Sequence, residues 1–220
     1  DILVRTNPKI PNLKNVIEQN FKPGQIHHNG NCWSFDHKEL QIDLILVPYD
    51  EWEIAKTFFS YNDLGNLIGK IYHQLGLKFG FDGLKYVYRL DNDKKIGNIL
   101  VSRDTKKIFE FIGLDYEIYL KGFNDVTDIF DFVIKSKYFN PDSFKLENLN
   151  SINKHRNKRR INYNLFLEYI ANKKLKSNFK RKENKKEYWQ LIHDYFLPDC
   201  NFLDSIKILQ DKEEERKLIA

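Results

Sequence analysis

The stretch Leu40-Gln41-Ile42-Asp43-Leu44-Ile45-Leu46-Val47-Pro48 constrains this chain more than any other. Five of the six residues from 42 to 47 are aliphatic. Such a run reads as a strand, and Pro48 ends it because proline cannot donate to a ladder. Inside the run sits a carboxylate. Burying an isolated ionised Asp costs several kcal/mol or more unless the group is paired or bound to a metal. Asp43 therefore calls for a Lys partner, an exposed edge, or a cation.

The hydrophobic period changes after Pro48. Trp52, Ala55, Phe59 and then Leu64, Leu67, Ile68, Ile71 and Leu75 recur at helical spacing, with Ser60-Tyr61-Asn62-Asp63 as a helix start and Gly76 as a stop. Ahead of the strand, residues 1–4 predict a short strand that breaks at Asn7-Pro8, and Pro11 begins a helix. Lys22-Pro23-Gly24 is a turn. Residues 25–35 read as a strand interrupted at Asn29-Gly30-Asn31, with a hairpin at 36–39. Beyond residue 80 the pattern predicts strands around 84–90 and 96–102 and a helix over 104–112 closed by Gly113. Further helices are predicted over 123–137, 161–172 and 187–196. Glycine occurs only between residues 24 and 122, which fits a helical C-terminal half. The expected fold is α/β in the α+β sense: a sheet flanked by helices over 1–57, a helical and hairpin unit over 58–122, and a helical extension over 123–220.

The chain has 17 Phe and 12 Tyr, ample material for a core. Two cysteines, Cys32 and Cys200, imply no disulfide framework and suggest a reducing compartment, cytoplasm or nucleus. No apolar run reaches the roughly 18 residues of a membrane span. The chain begins with Asp and contains no Met, so it is expected to be part of a longer polypeptide. Charge is unevenly placed. Residues 154–186 hold thirteen Lys or Arg and two Glu, a net of +11, so the remainder carries −6 against the overall +5. A basic segment on a mildly acidic body points to a polyanion partner, although it also describes a solvated surface helix.

Asp1 opens one apolar strand and Asp43 interrupts another. On neighbouring strands, facing Cβ atoms lie about 4.5–5.5 Å apart. Two carboxylates that close repel unless divalent cations occupy the gap. Mg²⁺ takes such oxygen ligands and keeps waters or substrate phosphates as the others, which is the plan of a two-metal phosphoryl-transfer site. The alternatives are a Lys partner for Asp43 and plain exposure for Asp1.

Residues 42–66, "IDLILVPYDEWEIAKTFFSYNDLGN", resemble the palm-to-nucleotide-binding junction of family X DNA polymerases, the polymerase-beta-like group of the nucleotidyltransferase superfamily. The segment runs from the strand aspartate through the Val-Pro strand end to the "FF-S-x-N-D-x-x-N" helix start. "GLKFGFDGLKYV" resembles the family's helix end and hairpin, and "VSRDTKKIFEFIGLDYE", 101–117, its closing segment. "DILVRTNP" is similar to the strand carrying the second Asp of the family's Asp-x-Asp pair. The resemblance covers roughly residues 1–120.

The resemblance implies that Asp1 bridges metals and that Asp43 binds the catalytic metal beside the primer 3′-hydroxyl. It implies that Phe58 and Phe59 shape the pocket for the incoming sugar, that Asp63 sits beside the incoming base, and that Asn66 reaches the base's minor-groove edge. Lys70 stands where the family has Arg and would touch the template strand. Three features depart from the family. The first Asp of the pair and the upstream Gly-Ser and Arg elements that hold the triphosphate are absent from these 220 residues, and Tyr61 stands where the family has Gly. The implied activity is nucleotide addition to a nucleic-acid 3′ end, in DNA repair or replication, with Mg²⁺ or Mn²⁺, a nucleoside triphosphate as donor, and DNA ahead of RNA as partner. RNA tailing or tRNA nucleotidyl transfer is one alternative. A non-catalytic nucleic-acid-binding module on the same fold is another.

The segment beyond residue 120 has no counterpart in the family. Within "NKHRNKRRINYNLFLEYI", 153–170, Arg156, Arg159 and Arg160 can neutralise phosphates, and Tyr163 can stack on an unpaired base. The same segment also reads as an exposed basic helix that packs Phe166 and Ile170 inward. His27, His28, Cys32 and His37 are the only cluster of soft ligands, and their spacing matches no standard zinc pattern.

Overall fold

The computed structural model describes residues 1–6, 10, 12–90, 94–177 and 179–219, with side chains described up to residue 216. The break expected at Asn7-Pro8 and the helix start at Pro11 lie outside the described residues. Among the described residues the architecture is mixed α and β with two sheets. The first contains β1 (Ile2–Arg5), β2 (Ile26–Asn29), β3 (Cys32–His37) and β4 (Leu40–Val47), in the order β1-β4-β3-β2. β1 runs parallel to β4, and the other two pairings are antiparallel.

Side chains alternate across a strand, and each face of this sheet has its own cover. Leu13 and Ile17 of α1 (Leu13–Phe21) pack on Phe35 and Leu46, with Val4, Ile42 and Leu44 beside them. On the other face, Ala55, Trp52 and Phe59 of α2 (Trp52–Phe59) meet Ile45, Val47, Leu3 and Cys32.

The second sheet is antiparallel, with β5 (Leu77–Gly80), β6 (Gly83–Arg89) and β7 (Lys95–Ser102) in sequence order. The remaining helices are α3 (Leu64–Gln74), α4 (Thr105–Phe111), α5 (Tyr116–Lys121), α6 (Val126–Val133), α7 (Ser151–Lys158), α8 (Ile161–Asn172), α9 (Trp189–Phe196) and α10 (Phe202–Ile219). A single buried cluster runs from Ile54 to Leu209, so residues on both sides of position 122 share one core. Aromatic contacts knit it together: Phe111 lies 4.9 Å from Tyr195 and 5.0 Å from Phe196, and Phe130 lies 5.0 Å from Phe166.

The strand at 40–47 and the helix at 161–172 have the bounds read from the sequence. The helix expected over 123–137 is only Val126–Val133, because Asp125 caps it by accepting from the amides of Thr127 and Asp128. α7 gives no periodic signal because Asn157 is its only buried residue. Among the described residues, no helix is long and apolar enough to cross a membrane.

Candidate functional site

The register of the first sheet relates the positions of the two carboxylates. Ile2 pairs with Leu44 and Leu3 with Ile45 across the parallel ladder. Continued by one residue, that register sets Asp1 level with Asp43. Both point to the same face, since Leu3 and Ile45 lie together under α2 and side chains repeat every second residue. Asp1 is exposed and Asp43 is half-buried, at the end of that face which α2 leaves open.

Asp43 accepts a hydrogen bond from Gln41 Nε2 at 2.9 Å, and Ser34 stands opposite it on β3. Hydrogen bonds from the Ser34 hydroxyl and then from Gln41 hold its carboxyl below the ordinary range. Partial burial opposes them. No amine pairs with Asp43 among the described ion pairs. A cleft of about 380 Å³ lies alongside, with Ser34, Gln41, Asp36 and His27 in its lining. Two ionised carboxylates on an open polar face suit a hard cation as donors. Among the described residues, no group of three or more His, Cys, Asp or Glu is arranged to hold a metal. The histidines near Cys32 have other contacts: the His28 ring stacks on Trp33 at 4.0 Å and bonds the Gly30 carbonyl at 2.8 Å.

Phe58 and Phe59 are half-buried and meet edge to face at 5.2 Å. Phe59 packs on Phe81 with the first sheet, and Phe58 on Phe79 with the large core. The pair therefore joins the two cores. Gly65 permits this close turn, since a Cβ there would lie 2.4 Å from the Phe58 carbonyl oxygen. Tyr61, which the resemblance sets against a Gly, adopts φ 58, and Asn62 follows at φ 54. The turn thus keeps a left-handed conformation without glycine.

Asp63, Asn66 and Lys70 lie along one stripe of α3, three and four residues apart. The opposite stripe, with Leu64, Leu67, Ile68 and Ile71, is buried. Asp63 stands at the N-cap position but makes no capping bond. It forms an ion pair with Arg160 instead. Asn66 Nδ2 donates to Asn157 Oδ1 at 3.0 Å. The two residues that the resemblance turns toward an incoming base are therefore held by the α7–α8 junction. Lys70 is half-buried, and its ammonium is pushed down by burial and then by Arg156 and Arg160. Burial and Arg160 push Arg156 down, with Asp63 opposing. Lys70 of α3 and Arg156 and Arg160 of the extension thus lie near one another, and Asp63 pairs with Arg160. Neither Lys70 nor Arg156 makes an ion pair among the described residues.

Arg159 and Tyr163 lie outside that group. Arg159 is exposed at the end of α7. Tyr163 is 0% exposed, and its hydroxyl donates to the Phe144 carbonyl at 2.6 Å. A ring with no open face cannot stack on a base, so the stacking role read from the sequence is corrected to a core role. Sequence reasoning missed Asn157, because a lone Asn in a polar helix carries no signal until its partner on α3 is known. No family model, curated protein or solved structure matches this chain.

Proposed function

We propose that this chain carries part of a nucleotidyltransferase site that adds nucleotides from a nucleoside triphosphate to a nucleic-acid 3′ end, releasing pyrophosphate. The observation that supports this reading is the parallel β1–β4 register, which, continued by one residue, sets Asp1 level with Asp43. Asp1 and Asp43 would hold Mg²⁺, or Mn²⁺, from one side. When bound, such an ion lowers the charge on phosphate oxygens and acidifies the attacking hydroxyl. Ser34 and Gln41 keep Asp43 ionised for that task. Phe58 and Phe59 stand at the joint between the sheet and α3, where a sugar would rest.

Phosphoryl transfer of this kind is mostly positioning and charge neutralisation, so removing one ligand charge has a large effect. In a Mg²⁺-dependent primer-extension assay on the complete protein, Asp43→Asn is expected to lower the rate by about 10²-fold or more, with circular dichroism unchanged. Equal rates in the two proteins would remove the metal-ligand role.

A second reading, a non-catalytic nucleic-acid-binding module, draws support from the Asp63–Arg160 and Asn66–Asn157 contacts, which occupy the polar stripe of α3. The same assay separates the two readings, since this one expects no extension by the wild type.

A further inference from the structure

The cationic surface of α3 continues past Lys70. His73 is the next residue of the polar stripe, which then runs Asp63, Asn66, Lys70, His73 with every step three or four residues. Gly76 follows the helix, and a Cβ there would lie 3.2 Å from Lys185 Cβ, so Lys185 stands at the C-terminal end of the stripe. The His73 imidazole is pushed down to about 4 by burial, then by Lys185, Lys70 and Arg181. The residue as a whole is exposed, so solvent screens part of that shift. The direction nonetheless agrees with Lys185 and Arg181 lying on the His73 side of Lys70, while Arg156 and Arg160 crowd Lys70 from the α7–α8 junction.

We propose that the polar stripe of α3, flanked by Arg156 and Arg160 at one end and by Arg181 and Lys185 at the other, is a groove that holds the sugar-phosphate backbone of a nucleic-acid strand. The proposal rests on the preceding reading only for the nature of the partner, not for any chemistry. Residues 63 to 73 rise about 15 Å along the helix axis, room for about four nucleotides at a 3.4 Å rise per strand. Asp63 is the only carboxylate on the stripe, and it answers only one of the cations. The Asn157 amide, 1% exposed and with its Oδ1 taken by Asn66, holds α7 against the stripe beside Arg156. Arg181 and Lys185 lie in the basic segment after α8, so two pieces of the extension clasp α3 from either end.

Binding of a fluorescent single-stranded DNA 20-mer, the matching duplex and the matching RNA is measured by anisotropy on the full chain. The buffer contains EDTA, and salt is varied. The Arg181→Gln, Lys185→Gln double variant is expected to bind roughly tenfold more weakly and to lose about 1.5 from the magnitude of the slope of log K against log salt. Lys14→Gln with Lys22→Gln, on α1 and at its C-terminal cap over the far face of the first sheet, is the charge-matched control and is expected to bind as the wild type does. Equal losses in both pairs would make the effect bulk charge and overturn the groove. No loss in the groove pair, or no binding by the wild type, would overturn it too. Asp43→Asn is expected to bind with full affinity in EDTA. If that variant kept extending primers while the groove pair lost binding, the catalytic reading would fail and the groove would stand.

Discussion

Tyr61 shows how one side chain can hold a backbone conformation that its residue type disfavours. At φ 58 an L-residue is disfavoured by roughly 1–2 kcal/mol. Its ring meets Tyr119 at 5.6 Å and Phe123 at 4.9 Å, both edge to face, and such pairs contribute about 0.5–1.5 kcal/mol each beyond the area they bury. Tyr61→Gly would relieve the backbone and lose the ring. The net expectation is a loss of about 1–2 kcal/mol in urea denaturation, with Tyr61→Phe close to neutral. A Gly variant as stable as the wild type would show that the ring contributes nothing to the turn. Asp43 makes the complementary point. Its presence in an apolar strand was plain from the sequence, but its ionisation depends on Ser34, a residue on another strand.

At the scale of elements, the contact between α3 and the α7–α8 junction carries the most consequence. Asp63 is 8% exposed and has Arg160 as its ion-pair partner. Removing Arg160 leaves a nearly buried carboxylate with Arg156 near it, which compensates it only in part. Arg160→Ala is expected to destabilise by about 2 kcal/mol, below the usual range for a buried pair because a third of the Arg160 side chain meets solvent. In a double-mutant cycle with Asp63→Ala, the coupling is expected to be about 1 kcal/mol or more. Additive effects would mean that the pair does not hold the elements together. The polar stripe of α3 was legible as the complement of its apolar stripe. Its partner was not, because α7 has no apolar face and its one buried side chain is an amide.

At the scale of the whole molecule, the cores decide what can stand alone. The first sheet has two small clusters of its own under α1 and α2. The helical unit and the extension share one cluster that runs to Leu209. Deleting residues 123–220 would uncover Ile108, Phe109, Phe111 and Ile112, all at most 1% exposed. The truncated chain is expected to lose near-ultraviolet circular dichroism and bind a hydrophobic dye. Retention of a cooperative melt would instead show that residues 58–122 fold without the extension. The strand at 40–47, the helices at 52–59, 64–74 and 161–172, and the basic excess of 154–186 follow from periodicity, punctuation and charge, which are local properties of the chain. Which strand lies beside Asp43, what answers Asp63 and Asn66, whether Tyr163 faces a base or the core, and where the basic segment rests were decided only by tertiary structure. The Asp63–Arg160 contact alone spans 97 positions, and no local pattern encodes a long-range partner until the packing of the whole chain selects it.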